Sequence, residues 1–176
     1  MPPAAPGRPD DAWAPTATLE LSDGSSRRDL PASGDRSGEP ATLGIGLRDL
    51  LPGPFRRTPP GAAEIETAIA RIEDALMPLA RRMPPVAWLR LHLPGSPEVA
   101  RGLAEALGAE AGATIGIDEI ERAFGTLAAI AEGAPPSRNP AVVAPRVAAV
   151  LLIVREAMHH LALPRLGLPP AADDAR

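Results

Sequence analysis

The sequence predicts an all-α protein, a small bundle of about four helices that follows a disordered, Pro/Gly-rich N-terminal arm. Asn139–Leu163 is apolar on almost every side, as expected of a helix buried in a protein interior. In Ala62–Met83 the apolar residues recur at intervals of three and four, which is the spacing of one helical face. Eleven prolines fall in the first 60 residues, where they disfavour regular structure.

The prolines of the N-terminal segment alternate with Gly, Ser and Asp, a mixture with too little apolar surface to offset the entropy of ordering. We therefore expect residues 1–41 to be a disordered arm and residues 42–60 to be a linker. Ala17–Leu21 alternates like a strand fragment. Leu43–Phe55 is either an incidental part of the linker or a short motif that orders on a protein partner. Its candidate contact residues are Leu43, Ile45, Leu47, Leu50, Leu51 and Phe55.

The first helix is predicted over Ala62–Met83, with Ile65, Ile69, Ile72, Leu76 and Leu79 on its buried face. Val86–Leu93 is ambiguous, because Leu89, Leu91 and Leu93 alternate with polar or aromatic residues in the pattern of a strand. A single strand has no pairing partner in a helical domain, so we expect this segment to be a helix or an extended connector.

Three further helices complete the predicted helical domain, residues 61–163. Ser96-Pro97 begins one that ends at Gly108. Asp118 and Glu121 resemble a capping box at the start of the next, which runs to Gly133. Asn139-Pro140 begins the last. Residues 164–176, rich in Pro and Ala, are expected to form a loose tail.

The last helix needs a protein environment. It is interrupted by Pro145 and Arg146 and is too short to cross a bilayer, which takes about 20 apolar residues. Neighbouring helices, a second copy of the chain or another protein must cover it. Leu152 on this helix and Trp88 before the second helix are the candidate partner-binding residues outside the linker. We therefore expect a protein partner or a homodimer.

The composition excludes several classes of function. Cys and Lys are absent, which removes thiolate chemistry, disulfides and phosphate-binding loops that need a lysine. A net charge of −4 and 2% aromatic residues argue against nucleic-acid binding. All 18 basic residues are Arg, as expected of a bacterial genome of high GC content. Since the N-terminus has no apolar stretch typical of a secretory signal, a cytoplasmic location is expected.

Glu156 and His159 have the i, i+3 spacing found in the metal half-sites of di-iron helical bundles. A complete site needs a second such pair, which the chain lacks, so a second chain would have to supply it, with Glu66, Glu73 or Glu121 as further ligands. The simpler interpretation is a solvated Glu156 and two histidines at a helix end, with no bound cofactor.

These observations predict a non-catalytic helical interaction or assembly protein that acts through protein–protein contacts. The alternative is a metal-binding helical oxidoreductase or ferritin-like protein, in which a second chain completes the Glu156–His159 half-site. A serine-type catalytic triad is not expected, because hydroxyl side chains are scarce in the helical region.

Overall fold

The computed structural model describes residues 16–22, 26–29, 41–43, 45–81 and 88–170. Within these ranges the chain is a mixed α/β domain with a six-stranded sheet and five α-helices. The strands are β1 (Thr16–Leu21), β2 (Ser26–Asp29), β3 (Ala41–Leu43), β4 (Trp88–His92), β5 (Thr114–Gly116) and β6 (Arg165–Gly167). The helices are α1 (Leu47–Leu50), α2 (Ala62–Ala80), α3 (Pro97–Leu107), α4 (Ile117–Ala131) and α5 (Pro145–His160), with a short 3₁₀ helix at Pro136–Arg138.

The strand order across the sheet is β3-β2-β1-β4-β6-β5. The three central strands β1, β4 and β6 run parallel, whereas β2, β3 and β5 each pair with a neighbour in the antiparallel sense. In the register of the central pair, Glu20 lies opposite His92. Because the central strands are parallel, their carboxyl ends all meet at one edge of the sheet.

The prediction of an all-α bundle is therefore wrong. Strands β1 and β2 lie within residues 1–41, which were expected to form a disordered arm, and residues 1–15, 23–25 and 30–40 of that segment lie outside the described part. The alternating segment near Leu89 and Leu91 is a strand, β4, with β1 on one side and β6 on the other. Both of these neighbours lie in segments that were expected to be disordered or loose. Each is three to six residues long, too short for its periodicity to stand out among the surrounding prolines.

Alternating burial in the central strands shows which face of the sheet is covered. Leu89 and Leu91 are buried, while Arg90 and His92 between them are exposed. The buried face belongs to the one apolar core of the domain, which the helices share, and the other face of β4 is open to solvent within the described part of the chain.

Helix α5 lies at the centre of the helical layer and contacts α1, α2, α3 and α4. Every residue from Val147 to Val154 is buried, and Leu152 is fully inaccessible within the single chain. The neighbouring helices of the same chain thus cover the apolar circumference of α5. Among the described residues, no helix combines the length and the apolarity needed to cross a membrane.

The start of α4 differs in detail from the capping box expected at Asp118 and Glu121. The helix begins at Ile117, directly after β5, with Gly116 as its cap residue. The backbone N–H of Gly116 donates to Oε2 of Glu119 at 3.0 Å. The carboxylate three residues after the cap therefore satisfies the helix end, two residues earlier in the chain than expected.

Candidate functional site

The carboxyl edge of the sheet contains a point where the strand order reverses. From β1 the chain continues to β2 on one side, whereas from β4 it continues through α3 towards β5 and β6 on the other side. Ligands of open α/β sheets bind in the crevice outside the carboxyl ends of the strands at such a point. The crevice between β1 and β4 is therefore the position at which a sheet of this topology binds its ligand.

Polar groups from three helices converge at this crevice. Ser96 is the cap residue of α3, and its hydroxyl accepts a hydrogen bond from Nη2 of Arg146 at 3.2 Å. Arg146 is the second residue of α5. The carbonyl of Ser22, directly after β1, accepts from the backbone N–H of Leu47 in α1 at 3.4 Å. The ends of β1 and β4 and the beginnings of the three helices thus lie together.

A pocket of about 190 Å³ lies between the beginnings of α1 and α5, lined by Leu47, Arg48, Leu51 and Arg146. Arg146 is half-buried, whereas Arg48 is exposed and makes no ion pair with any described residue. The N-terminal end of α5 adds the partial positive charge of a helix dipole. Two guanidinium groups line the pocket, and the buried hydroxyl of Ser96 holds one of them, an arrangement suited to an anion.

A larger groove of about 700 Å³ runs along the outer side of α3. Most of its wall consists of proline and alanine side chains, with His92, Arg101 and Glu105 as its charged or polar members. At the end of the groove next to β4, Nδ1 of His92 lies 3.3 Å from Oε2 of Glu20. The groove is bigger than the pocket beside Arg48, but its chemistry is apolar and does not select an anion.

A second group of polar side chains lies at the other end of α5. Nε of Arg155 donates to Oε1 of Glu121 at 2.8 Å, and Nε2 of His159 lies 2.6 Å from the same oxygen. Partial burial raises the pKa of Glu121, but the hydrogen bonds from His159 and Arg155 and the charge of Arg155 outweigh it and hold the pKa below its ordinary value. Arg155 also donates to Oε1 of the buried Glu156.

The structure separates the two members of the predicted half-site. His159 turns towards Glu121 on α4, whereas His160 faces Glu156 and Glu73, with Nε2 of His160 at 3.6 Å from Glu156 and 3.4 Å from Glu73. The imidazole that lies near Glu156 is therefore that of His160, four residues or about one helical turn later in the chain, and not that of His159.

The residues predicted to bind a protein partner lie mostly inside the domain. Ile45, Leu47, Leu50, Phe55 and Leu152 are buried, and Leu51 and Trp88 are half-buried; Leu43 lies in β3, and its side chain is outside the described part. Burial within one chain accounts for their apolar character without a partner. A role in binding a second protein or a second copy stays a prediction, because a single chain cannot test it.

Sequence reasoning missed Arg48, Ser96 and Arg146. Ser96 was interpreted only as a helix cap, and Arg146 only as an interruption of an apolar helix. The position of Arg146 in the first turn of a helix was a usable signal. A positive charge there is repelled by the positive end of the helix dipole, so a nearby anion or ligand is needed to stabilise it. The pairing itself was not visible, since Ser96 and Arg146 are 50 residues apart in the chain.

The described elements form an α/β domain with two arginines at the carboxyl edge of its sheet, and known structures have a similar fold. No protein-family model matches the chain, and no curated protein matches its sequence. The crystal structure of the Aquifex aeolicus member of the Ppx/GppA family is similar, with a TM-score of 0.64 at 18% identity over 90% of this chain and 53% of that one. The type II variant of the Aquifex aeolicus Ppx/GppA phosphatase has a TM-score of 0.66 at 18% identity, over 90% of this chain and 54% of that one.

An exopolyphosphatase from Cytophaga hutchinsonii is also similar, with a TM-score of 0.62 at 12% identity, over 89% of this chain and 53% of that one. The chain thus has the fold of part of these proteins and spans about half of their length. The expectation of a non-catalytic helical assembly protein is contradicted, as is its alternative of a ferritin-like oxidoreductase. Two of the similar structures are named as a phosphatase and an exopolyphosphatase, and the described part of this chain is built on a sheet, not as a helical bundle.

Proposed function

We propose that this chain is a phosphatase domain of the Ppx/GppA kind, which binds the terminal phosphoryl group of its substrate at the carboxyl edge between β1 and β4. One observation carries the proposal. The guanidinium of Arg146 and the hydroxyl of Ser96 meet where α3 and α5 both begin, and Arg48 lines the same pocket. The phosphatase and exopolyphosphatase activities named for the similar structures support it.

The residues of the pocket match what phosphoryl transfer requires of a protein. Such catalysis depends mainly on holding the phosphoryl group in place and stabilising the charge on its oxygens. A guanidinium offers two parallel N–H donors to two phosphate oxygens, and helix N-termini add backbone N–H groups. Arg48 and Arg146 are therefore assigned to the phosphate oxygens, and Ser96 is assigned to holding the Arg146 guanidinium in position.

The size of the pocket favours a substrate with a bare terminal phosphate. A volume of about 190 Å³ between Leu47 and Leu51 accommodates a phosphoryl group but little of a bulky organic moiety. Inorganic polyphosphate, whose end is a phosphoryl group on a phosphoanhydride, fits this description. Because the chain spans about half of the similar proteins, the proposal assigns substrate binding to this domain and assigns no general base to it.

Titration of the protein with tripolyphosphate in a calorimeter tests the proposal, together with release of inorganic phosphate from polyphosphate. Hydrogen bonds to charged groups contribute about 1.5–3 kcal/mol, so Arg48→Ala should weaken binding about 10- to 100-fold. Arg146→Lys keeps the charge but loses the two-pronged donor, and binding should weaken while the fold persists. Arg90→Ala is the matched control, because Arg90 is exposed on the open face of β4.

The wild-type protein should bind tripolyphosphate, and the Arg90→Ala variant should bind it equally well. Absence of binding by the wild type, or the same small loss in Arg48→Ala and Arg90→Ala, would show that the pocket is not a phosphate site. Phosphate release that persists unchanged in both pocket variants would place hydrolysis elsewhere.

A further inference from the structure

Three potential metal ligands meet where the end of α5 packs against α2. Nε2 of His160 lies 3.4 Å from Oε1 of Glu73 and 3.6 Å from Oε2 of Glu156. The ligand atoms of all three residues lie within 4.8 Å of one another. We propose that Glu73, Glu156 and His160 bind one Zn²⁺ ion, with all protein ligands supplied by a single chain.

The spacing of the ligand atoms fits one tetrahedral ion. Zinc binds imidazole nitrogen and carboxylate oxygen at about 2.0–2.2 Å, which puts neighbouring ligand atoms about 3.4 Å apart. The two distances from His160 are close to this value, so small side-chain movements are enough to enclose an ion. Glu73 and His160 are part-exposed, which leaves a path to solvent and a fourth position for water.

Glu156 brings a buried carboxylate to this cluster. Only 3% of this residue is exposed, on a helix that is otherwise apolar from Val147 to Val154. Its Oε1 accepts from Arg155, but Oε2 accepts no hydrogen bond within the described part of the chain and faces His160. Arg155 already pairs with Oε1, and a cation between Oε2 and Nε2 of His160 would replace their long contact with two short metal–ligand bonds.

The local charge also favours a divalent cation. Glu121 and Glu156 share the guanidinium of Arg155, whereas Glu73 contacts His160. Three carboxylates thus lie near one guanidinium. The mixture of imidazole and carboxylate ligands suits Zn²⁺, whereas Mg²⁺ and Ca²⁺ prefer oxygen ligands alone.

This site differs from the phosphate pocket and from the half-site expected from sequence. Arg146 and His160 are 14 residues apart on α5, which separates the two ends by about 21 Å. The zinc would link α2 to α5 and would not touch the substrate. The predicted half-site used His159 and a second chain, whereas the proposed zinc site uses His160 and one chain. The proposed site carries out no redox chemistry.

The test titrates metal-free protein with ZnCl₂ and measures both the heat of binding and the melting temperature. We expect one equivalent to bind, and free zinc at about 100 times the dissociation constant to raise the melting temperature by about 5–10 °C. Glu73→Gln and His160→Gln should abolish the shift. His159→Gln is the matched control, since its imidazole faces Glu121, and it should retain the shift.

Several outcomes would overturn the zinc site. These are no binding at micromolar zinc, an equal shift with MgCl₂, or a shift lost as completely in His159→Gln as in His160→Gln. Glu73 is exposed enough for Glu73→Gln to fold even if Glu156→Gln does not. Arg48→Ala should leave the zinc-induced rise in melting temperature unchanged. The proposals of a zinc site and of a phosphate pocket are therefore tested independently of each other.

Discussion

The guanidinium carbon of Arg155 lies 4.0 Å from the centroid of the Phe124 ring, so a cation on α5 is stacked on an aromatic side chain of α4. In that position Arg155 donates to Glu121 on α4 and to Glu156 on its own helix. This arginine is the charge that allows a carboxylate to sit inside an apolar helix layer.

Replacing Arg155 by Met should lower the free energy of unfolding by about 3 kcal/mol, because it leaves the buried Glu156 without its opposite charge. The double variant Arg155→Met/Glu156→Gln should recover much of the loss, since the remaining group is neutral. Urea denaturation of the two single variants and the double variant, arranged as a double-mutant cycle, measures the coupling. Additive losses would show that Arg155 does not compensate Glu156.

Glu121 should make stability depend on pH in the acid range. Its pKa is lower in the folded protein than the ordinary value of 4.5, so its contribution is present above that value and is lost as the pH falls through the folded pKa. Comparison of the wild type with Glu121→Gln by urea denaturation at several pH values checks this. The stability difference should be largest above about pH 5 and should shrink on acidification; a constant difference would contradict the assignment.

Two helical glycines should respond oppositely to substitution by alanine. Gly125→Ala should stabilise the protein by about 0.5–1 kcal/mol, because a Cβ there meets nothing within 4 Å and alanine favours the helix. Gly102→Ala should destabilise it, since the added Cβ would lie 2.8 Å from Cγ2 of Val147, a stiff side chain in the core. Thermal unfolding measures the melting temperatures of the two variants. An equal rise in both would show that α3 and α5 pack loosely enough to accept the added methyl group.

Leu152→Asp should unfold the isolated chain. Leu152 is fully buried within one chain, so the substitution buries an unpaired charge at a cost of several kcal/mol. Circular dichroism and light scattering on dilute protein distinguish the possibilities. A folded protein that only changes its oligomeric state would mean that Leu152 belongs to an interface between chains.

The helices could be predicted because each carries an apolar face at helical spacing, as Ile65, Ile72 and Leu76 do in α2. The sheet could not, although both alternating segments around Leu19 and Leu91 looked like strands. A strand is stabilised by its neighbours. The residues paired with Leu89 of β4 are Ala17, 72 residues earlier in the chain, and Leu166, 77 residues later. The deciding evidence was therefore long-range pairing, which the pattern of one segment does not contain.

The candidate phosphate pocket could not be predicted from the sequence for a similar reason. Arg48, Ser96 and Arg146 come from three elements that are 48 to 50 residues apart in the chain, and only the topology brings them to one edge. The pair Glu156–His159 was visible because it is local, but local spacing does not say which neighbour each side chain faces. In the fold, His159 and His160 turn towards different helices.

The position of β6 has a consequence for the order in which the domain is completed during synthesis. Within the described part of the chain, β5 pairs only with β6, and Ala113 and Gly112 continue the contact to Leu168 and Pro169. On the ribosome, β5 therefore emerges about 50 residues before the strand that joins it to the sheet. The pairing of β5 with the sheet is therefore completed only after residue 169 has left the exit tunnel, when α4 and α5 have already been synthesised.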